Sequence, residues 1–339
     1  MSDLLRSLPE AQQRLLTSAP HAVESAADPM LAVLSDRRDF GSGWLFERKL
    51  DGMRALATLD GDRVRLFSRT GRTVHGSFPE IAEALAGQPS GGFTVDGEIV
   101  AFTGGRTDFA RLQRRMQLTD PHRARASGVA VTYYVFDLLR LDGVDLTRLP
   151  LRTRKSLLRR ALDFRPPVRF TPHRNEGGQR RLDEACAHGW EGLIAKRADS
   201  RYLRRRSPDW LKLTCASGQE LVIGGFTEPA GARTGFGALL VGHYDNGRLV
   251  YAGKVGTGFD RTTLPLLRAG MDTIEVSASP FSTPVEVPGA HWVEPVLVAE
   301  IGFTEWTRDG MLRHPRFLGL RQDKAAADVV RERAHRSRP

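Results

Sequence analysis

Lys49 stands two residues before Asp51-Gly52 in "FERKLDGMRAL", and Arg54 follows. A lysine at a strand end, against a turn, becomes a nucleophile when nearby positive charge lowers its pKa and leaves a neutral amine. Alone, K-x-D-G reads more simply as a surface strand ending in a turn. Other segments change that weighting. "VDGEIVAF" puts Asp96 and Glu98 two residues apart, on one face of a strand. "EGLIAKR" supplies Glu191 and Lys196, and "DWLKLTC" supplies Lys212. "LRHPRFLGLRQDK" supplies Arg313, His314, Arg321 and Lys324. Carboxylates beside several lysines suit a divalent metal and a nucleotide phosphate. Each piece also has a plain reading. Asp96-Gly97 could be only a turn, Glu98 and Glu191 solvated carboxylates, and the last stretch a basic patch. Lys196 and Lys212 could be strand-edge charges that guard against aggregation. Taken together and in this order, they point to nucleotide chemistry.

The elements that must position these groups alternate from Trp44 onward. "WLFERKLDG", "RALATLDGDRVRLFS" and "FTVDGEIVAF" have the apolar alternation and Gly/Asp turns of strands. "FPEIAEALA" is a predicted helix with Ser77 as N-cap, and "FARLQRRMQL" is another. "VTYYVFDLLRLDG" predicts a buried strand running into a turn. "LRTRKSLLRRAL" predicts an amphipathic basic helix, and "GGQRRLDEACAHG" a helix stopped by Gly189. After Ser217 the pattern turns mostly β: "QELVIGGF", "GALLVGHYDNGRLVYAGKV" and "PVLVAEIGFTEW", the second folding back at Asn246-Gly247. The expected architecture is α+β followed by a β-barrel. The expected divisions are a loosely attached lead-in over 1–27, a first domain over 28–217, a barrel over 218–324 and a basic tail over 325–339.

Composition bounds the function. The 339 residues carry 50 Lys+Arg against 40 Asp+Glu, a formal charge of +10, and 40% are apolar. That is a globular composition with room for two cores. The excess of arginine favours a polyanionic partner, with a solvated basic surface as the plain alternative. No apolar run approaches the roughly 20 residues needed to span a bilayer. The N-terminus has no basic segment followed by a long apolar core, which argues against secretion. Cys186 and Cys215 cannot make a CxxC metal knuckle or a disulfide framework. The expectation is a soluble cytoplasmic protein without a membrane partner.

The order of the motifs resembles the ATP-dependent DNA ligases of the covalent nucleotidyltransferase superfamily, above all the ligase module of bacterial end-joining ligase D. The resemblance runs over about residues 28–324. It implies a nucleotidyltransferase (adenylation) domain followed by an OB-fold domain. It also implies that Lys49 attacks the ATP α-phosphate to form lysyl-AMP, which is then passed to the 5′-phosphate of a nick. By the same resemblance Glu47 sits against adenine, mainly through its backbone. Arg54 contacts the ribose and nearby phosphate, and Arg69 holds the nucleotide or the DNA 5′-phosphate. Glu98 binds ribose or metal, Phe136 stacks on adenine, and Glu191 is a metal carboxylate. Lys196 lies close to the phosphates and Lys212 contacts the α-phosphate. Arg313, Arg321 and Lys324 reach the β- and γ-phosphates from a mobile barrel. The implied cofactors are ATP and Mg²⁺ or Mn²⁺. The implied partners are nicked or broken duplex DNA, Ku and a separate repair polymerase, and the protein is expected to be a monomer. On this reading Arg204–Arg206, the "LRTRKSLLRR" helix and the tail remain for DNA phosphates or solvation.

Two positions depart from the family pattern. Its K-x-K reads Lys212-Leu213-Thr214, and its S-R-N-G reads Ser68-Arg69-Thr70-Gly71. A lost positioned cation can cost roughly two or more powers of ten in rate. Two readings follow: a working but slow ligase in which Arg197 or another cation replaces the missing charge, or an adenylation-competent or inactive DNA-end-binding accessory protein. The intact Lys49, Asp51, Glu98, Glu191 and Lys212 favour the first. RNA ligation or capping is a third reading, and the C-terminal motif argues against it.

Overall fold

Alternating apolar residues build paired strands that bring the motifs together. The computed structural model describes residues 2–19, 28–215, 217–229, 235–260 and 262–332. Residues 20–27 of the expected lead-in and 333–339 of the expected tail lie outside them. The chain divides after Cys215 into two compact units.

Among the described residues, the first unit contains an eight-stranded and a five-stranded sheet. The main path of the larger one runs Thr17–Ser18, Val144–Asp145, Val131–Leu141, Gly92–Thr103, Met53–Asp60, Arg63–Ser68. The smaller runs His173–Arg174, Trp44–Arg48, Gly192–Arg197, Arg206–Thr214, Leu31–Leu34. The helices Pro79–Ala86, Phe109–Met116 and Leu151–Ala161 pack on the larger sheet around Phe78, Phe93, Ile99, Tyr133 and Leu158. The Gly178–Ala187 helix covers the smaller sheet through Leu182 and Ala185. Between the sheets lies a third cluster, with Leu56, Phe67 and Phe136 from one side and Met30, Tyr202 and Trp210 from the other.

The second unit is built on a seven-stranded antiparallel sheet. Its long strand, Ser217–Thr227, pairs with Leu239–Asp245 along one edge and with both Val298–Phe303 and Ala290–Val293 along the other. Asn246 and Gly247 have φ of 48° and 75°, as a two-residue hairpin turn requires. Ile223, Phe236, Val241, Met271 and Ile301 fill the core. No described helix is long and apolar enough to cross a membrane.

Four expectations are corrected. The described part of the lead-in is not loose: Leu5 is fully buried and Thr17–Ser18 pairs with Val144–Asp145. Ser77 does not cap the Pro79–Ala86 helix; Phe78 holds that position, and the Ser77 hydroxyl donates to Met116 O. The basic helix is not all surface, because Arg154 and Lys155 are buried and ion-paired inside the unit. The two cysteines are bonded to each other.

Candidate functional site

Side chains two apart on a strand share a face, and cross-strand partners share it too. Glu47 pairs with Ile194, Lys196 with Trp210, Lys212 with Ile194, and Thr214 with Gly192. One face of the smaller sheet therefore carries Glu47, Lys196, Lys212 and Thr214. The Lys49 amide donates to Gly192 O at 2.9 Å, which sets the nucleophile candidate beside the start of the "EGLIAKR" strand. Its Nζ is ion-paired with Glu191 Oε1. Lys49 and Glu191 are thus brought together although 142 residues separate them.

The motif glycines are required by close approach. A Cβ on Gly52 would lie 2.3 Å from Ile99 O, and one on Gly192 would lie 2.0 Å from Leu213 O. Neither site can hold a side chain without moving backbone. The first packs the turn after Lys49 onto the Glu98 strand. The second lets the Glu191 turn close on the Lys212 strand.

Part of this face is a buried charge cluster. Glu47 is 2% exposed; Lys155 Nζ donates to its Oε1 at 2.6 Å, and Lys196 Nζ is 2.6 Å from its Oε2. Burial pushes the Glu47 carboxyl up, but the charges and hydrogen bonds of the two lysines outweigh it and hold it below the usual range. Burial, reinforced by Lys155, pulls the Lys196 ammonium down to about 8 against the opposing pull of Glu47. Lys196 Nζ lies 4.0 Å from the Phe136 ring centroid and 4.1 Å from that of Trp210, a cation–π arrangement. Lys196 is thus buried between Phe136 and Trp210, with its charge answered by Glu47.

The opposite wall comes from the larger sheet. Arg54 Nε and Nη2 donate to the two oxygens of Asp96 at 2.5 and 2.6 Å, and Arg54 also donates to Met30 O. Burial lowers the Arg54 pKa, but Asp96 more than offsets it, so the guanidinium stays charged 4.7 Å from the Phe136 ring centroid. Tyr202 donates to Asp96 Oδ2 at 2.6 Å. Asp96 is therefore fully buried and holds Arg54; it is not merely a turn residue. Glu98 pairs in register with Arg54. Arg69 sits on the turn after the next strand, where the Ser68 and Thr70 hydroxyls lie 3.1 Å apart. A cavity of about 370 Å³ runs along the edge of the lysine strand, lined by Arg48, Leu50, Tyr134, Thr171, His173 and Trp190.

Arg197 does not stand in for the missing lysine. Thr214 is level with Gly192, and Arg197 lies five residues further along, roughly 16 Å away at strand rise. It is also committed to Asp199 and Asp209. In the second unit, Arg321 pairs with Asp323 at 3.0 Å, and Lys324 pairs with Glu220. Arg313 is exposed and pairs with Glu305.

A divalent metal fits the donors present. Glu191 Oε2 is buried without a hydrogen-bond partner among the described residues, and Glu98 lies on the larger sheet in register with Arg54. No described group of three or more His, Cys, Asp or Glu residues forms a metal cage. A small hard cation held by one or two carboxylates plus substrate phosphates needs no such cage.

Sequence reasoning missed Lys155, Trp210 and Tyr202. Trp210 was recoverable, since it lies two residues before Lys212 on the same face. Lys155 was recoverable from its place between Leu151 and Leu158 on the apolar face of its helix. Tyr202 carried no signal.

Comparison with known proteins agrees with this architecture. Residues 29–214 match the family model "ATP dependent DNA ligase domain", and residues 232–324 match "ATP dependent DNA ligase C terminal region". The multifunctional non-homologous end joining protein LigD of Pseudomonas aeruginosa is 38% identical over 314 residues, 90% of this chain and 36% of that protein. The Mycobacterium tuberculosis LigD, a non-homologous end joining DNA repair protein, is 37% identical over 299 residues, 86% of this chain and 38% of its own. This chain thus spans little more than a third of the length of those relatives. The solved structure of mycobacterial DNA ligase D complexed with ATP and MES is 35% identical with a TM-score of 0.61, over 90% of this chain and 98% of that one. The fold is a nucleotidyltransferase domain followed by an OB-fold domain, and the chain belongs to the ATP-dependent DNA ligase family.

Proposed function

We propose that this chain seals 3′-hydroxyl/5′-phosphate nicks in duplex DNA through a lysyl-AMP intermediate. The observation that carries the reading is Lys49, ion-paired with Glu191 and bonded through its amide to Gly192 on the strand that pairs with the Lys212 strand. The ion-paired Lys49 ammonium first gives a proton to solvent, and the neutral amine then attacks the ATP α-phosphorus. The P–N bond forms, the bond to pyrophosphate breaks, and Nζ gives up a second proton. AMP then moves to the 5′-phosphate of the nick, and the 3′-hydroxyl displaces it. Lys212 neutralises charge on the α-phosphate as the transition state spreads it over the oxygens. Phe136 stacks on the base, Arg54 and Arg69 orient the sugar-phosphate, and Arg321 and Lys324 serve the outer phosphates. A divalent ion held by Glu191 and Glu98 supplies charge neutralisation at the phosphates when bound.

The adenylation domain on this reading is 28–217 and the OB-fold domain 218–324. The likeness to end-joining proteins supports a role in double-strand break repair; on this reading the chain works in the cytosol as a monomer, beside Ku and a separate polymerase. ATP labelled at its α-phosphate, with Mg²⁺, should leave AMP on the protein and then on a nicked duplex. Lys49→Ala should abolish the adduct; labelling that survives this change removes Lys49 as nucleophile. AMP that reaches the protein but never a nick would favour the accessory-protein reading. Preference for nicked RNA or for GTP would refute the DNA ligase assignment.

A further inference from the structure

Lys155 has no part in the chemistry described above, yet it is buried and fully engaged. It is 2% exposed on the Leu151–Ala161 helix. Its Nζ donates to Glu47 Oε1 at 2.6 Å, to Phe136 O at 3.2 Å and to Thr171 O at 3.2 Å. An ammonium has three donors, and all three are used. Phe136 is the residue skipped where the register of Val131–Leu141 against Gly92–Thr103 shifts: Asp137 pairs with Asp96, and Val135 with Gly97. Such a bulge re-aims a side chain and leaves backbone groups outside the ladder. Lys155 binds the carbonyl at that bulge. The preceding residue, Arg154, clamps Asp137 through two hydrogen bonds, at 2.7 and 2.8 Å. Lys155 also takes one oxygen of Glu47, while Lys196 takes the other.

We propose that Lys155 is a positioning residue of the base slot, holding both the bulge that aims Phe136 and the carboxylate that anchors Lys196. The inference rests on the reading of this slot as the site for the base of ATP. Lys155 also acts on Lys196 through charge. Burial and Lys155 lower the Lys196 pKa to about 8, while Glu47 and Asp137 oppose them. Removing the Lys155 charge leaves Lys196 protonated to higher pH.

The test is the Kd of ATP measured by calorimetry in EDTA from pH 6.5 to 9.5, with AMP labelling run in parallel. In the wild-type protein the Kd should rise above about pH 8 as Lys196 loses its charge. Lys155→Met should weaken ATP about tenfold at pH 7, the scale of one lost hydrogen bond to a charged group. It should also move the alkaline rise to higher pH, which a merely loosened fold would not do. A K155M protein with wild-type Kd, or with its alkaline rise unmoved, overturns the proposal. Should K155M not fold, Lys155→Gln, which keeps a donor for the Phe136 carbonyl and drops the charge, decides on the shift of the alkaline rise: an unmoved rise overturns the proposal. ATP bound normally without AMP transfer would sink the ligase reading and leave this inference to its own Kd. Wild-type protein that binds no ATP would sink both.

Discussion

The Cys186–Cys215 bond gives a prediction whose size follows from the chain. The bonded residues are 29 apart in sequence, with Cα atoms 5.2 Å apart. The loop they close contains the Glu191 turn and the two strands that carry Lys196 and Lys212. A cross-link withdraws loop-closure entropy from the unfolded chain, and at this loop length the relation gives about 3.6 kcal/mol at 25 °C. For a unit that ends at Cys215, about 2.1 cal/mol/K of unfolding entropy per residue sums to about 0.45 kcal/mol/K. Losing the bond should therefore lower the Tm of that unit by about 8 °C. Cys186 is exposed and Cys215 half-buried, so a small thiol reaches the bond without global unfolding.

The assay is scanning calorimetry of the protein with and without a phosphine reductant, next to the Cys186→Ser/Cys215→Ser double variant. Thiol titration in denaturant reports the redox state of each sample. Reduction should bring the wild-type transition down to that of the double variant and leave the variant unmoved. Two titratable thiols before reduction would refute the bond itself. Two thiols after reduction with an unchanged transition would refute the loop-closure argument.

Thr214→Lys returns a cation to the face that carries Lys212, and should raise the single-turnover rate of lysyl-AMP formation by about tenfold or more. An unchanged or lower rate would mean that Thr214 is not the missing contact. Gly52→Ala must accommodate a Cβ 2.3 Å from Ile99 O, and should cost about 1–3 kcal/mol in urea unfolding together with most of the adenylation activity; unchanged stability would contradict the close approach. Burial first, and then Lys155, pull the His173 pKa from 6.5 to about 4. Between those pH values the unfolded chain binds a proton that the folded chain does not, so stability should fall as pH drops from 6.5 to 4. His173→Asn should flatten that part of the urea-unfolding profile, and an unaltered slope would assign the acid loss to other groups.

These tests separate what residue types show from what only packing shows. Lys49, Glu191 and Lys212 were legible as a set because the order of their motifs carries the family resemblance, and period two alone places Lys212 and Thr214 on one face. Their charge partners were not legible. Asp96 looks like a turn residue until Met53–Asp60 pairs beside it and brings Arg54 to its carboxylate. Arg154 and Lys155 count as surface charge in a net total of +10, yet both are buried and neutralised. Burying a charge is costly unless it is paired, so a buried basic residue requires an acidic one from elsewhere in the chain. That requirement links Arg154 to Asp137 and Lys155 to Glu47, 17 and 108 residues away. The disulfide was hidden in the same way. Its halves come from the Gly178–Ala187 helix and from just past the end of the Arg206–Thr214 strand, and only packing brings their Cα atoms to 5.2 Å. Part of the basic charge of this chain is thus committed to buried pairs, and the net total does not say where the rest lies. On the site face, strand register alone sets Lys196 and Lys212 together.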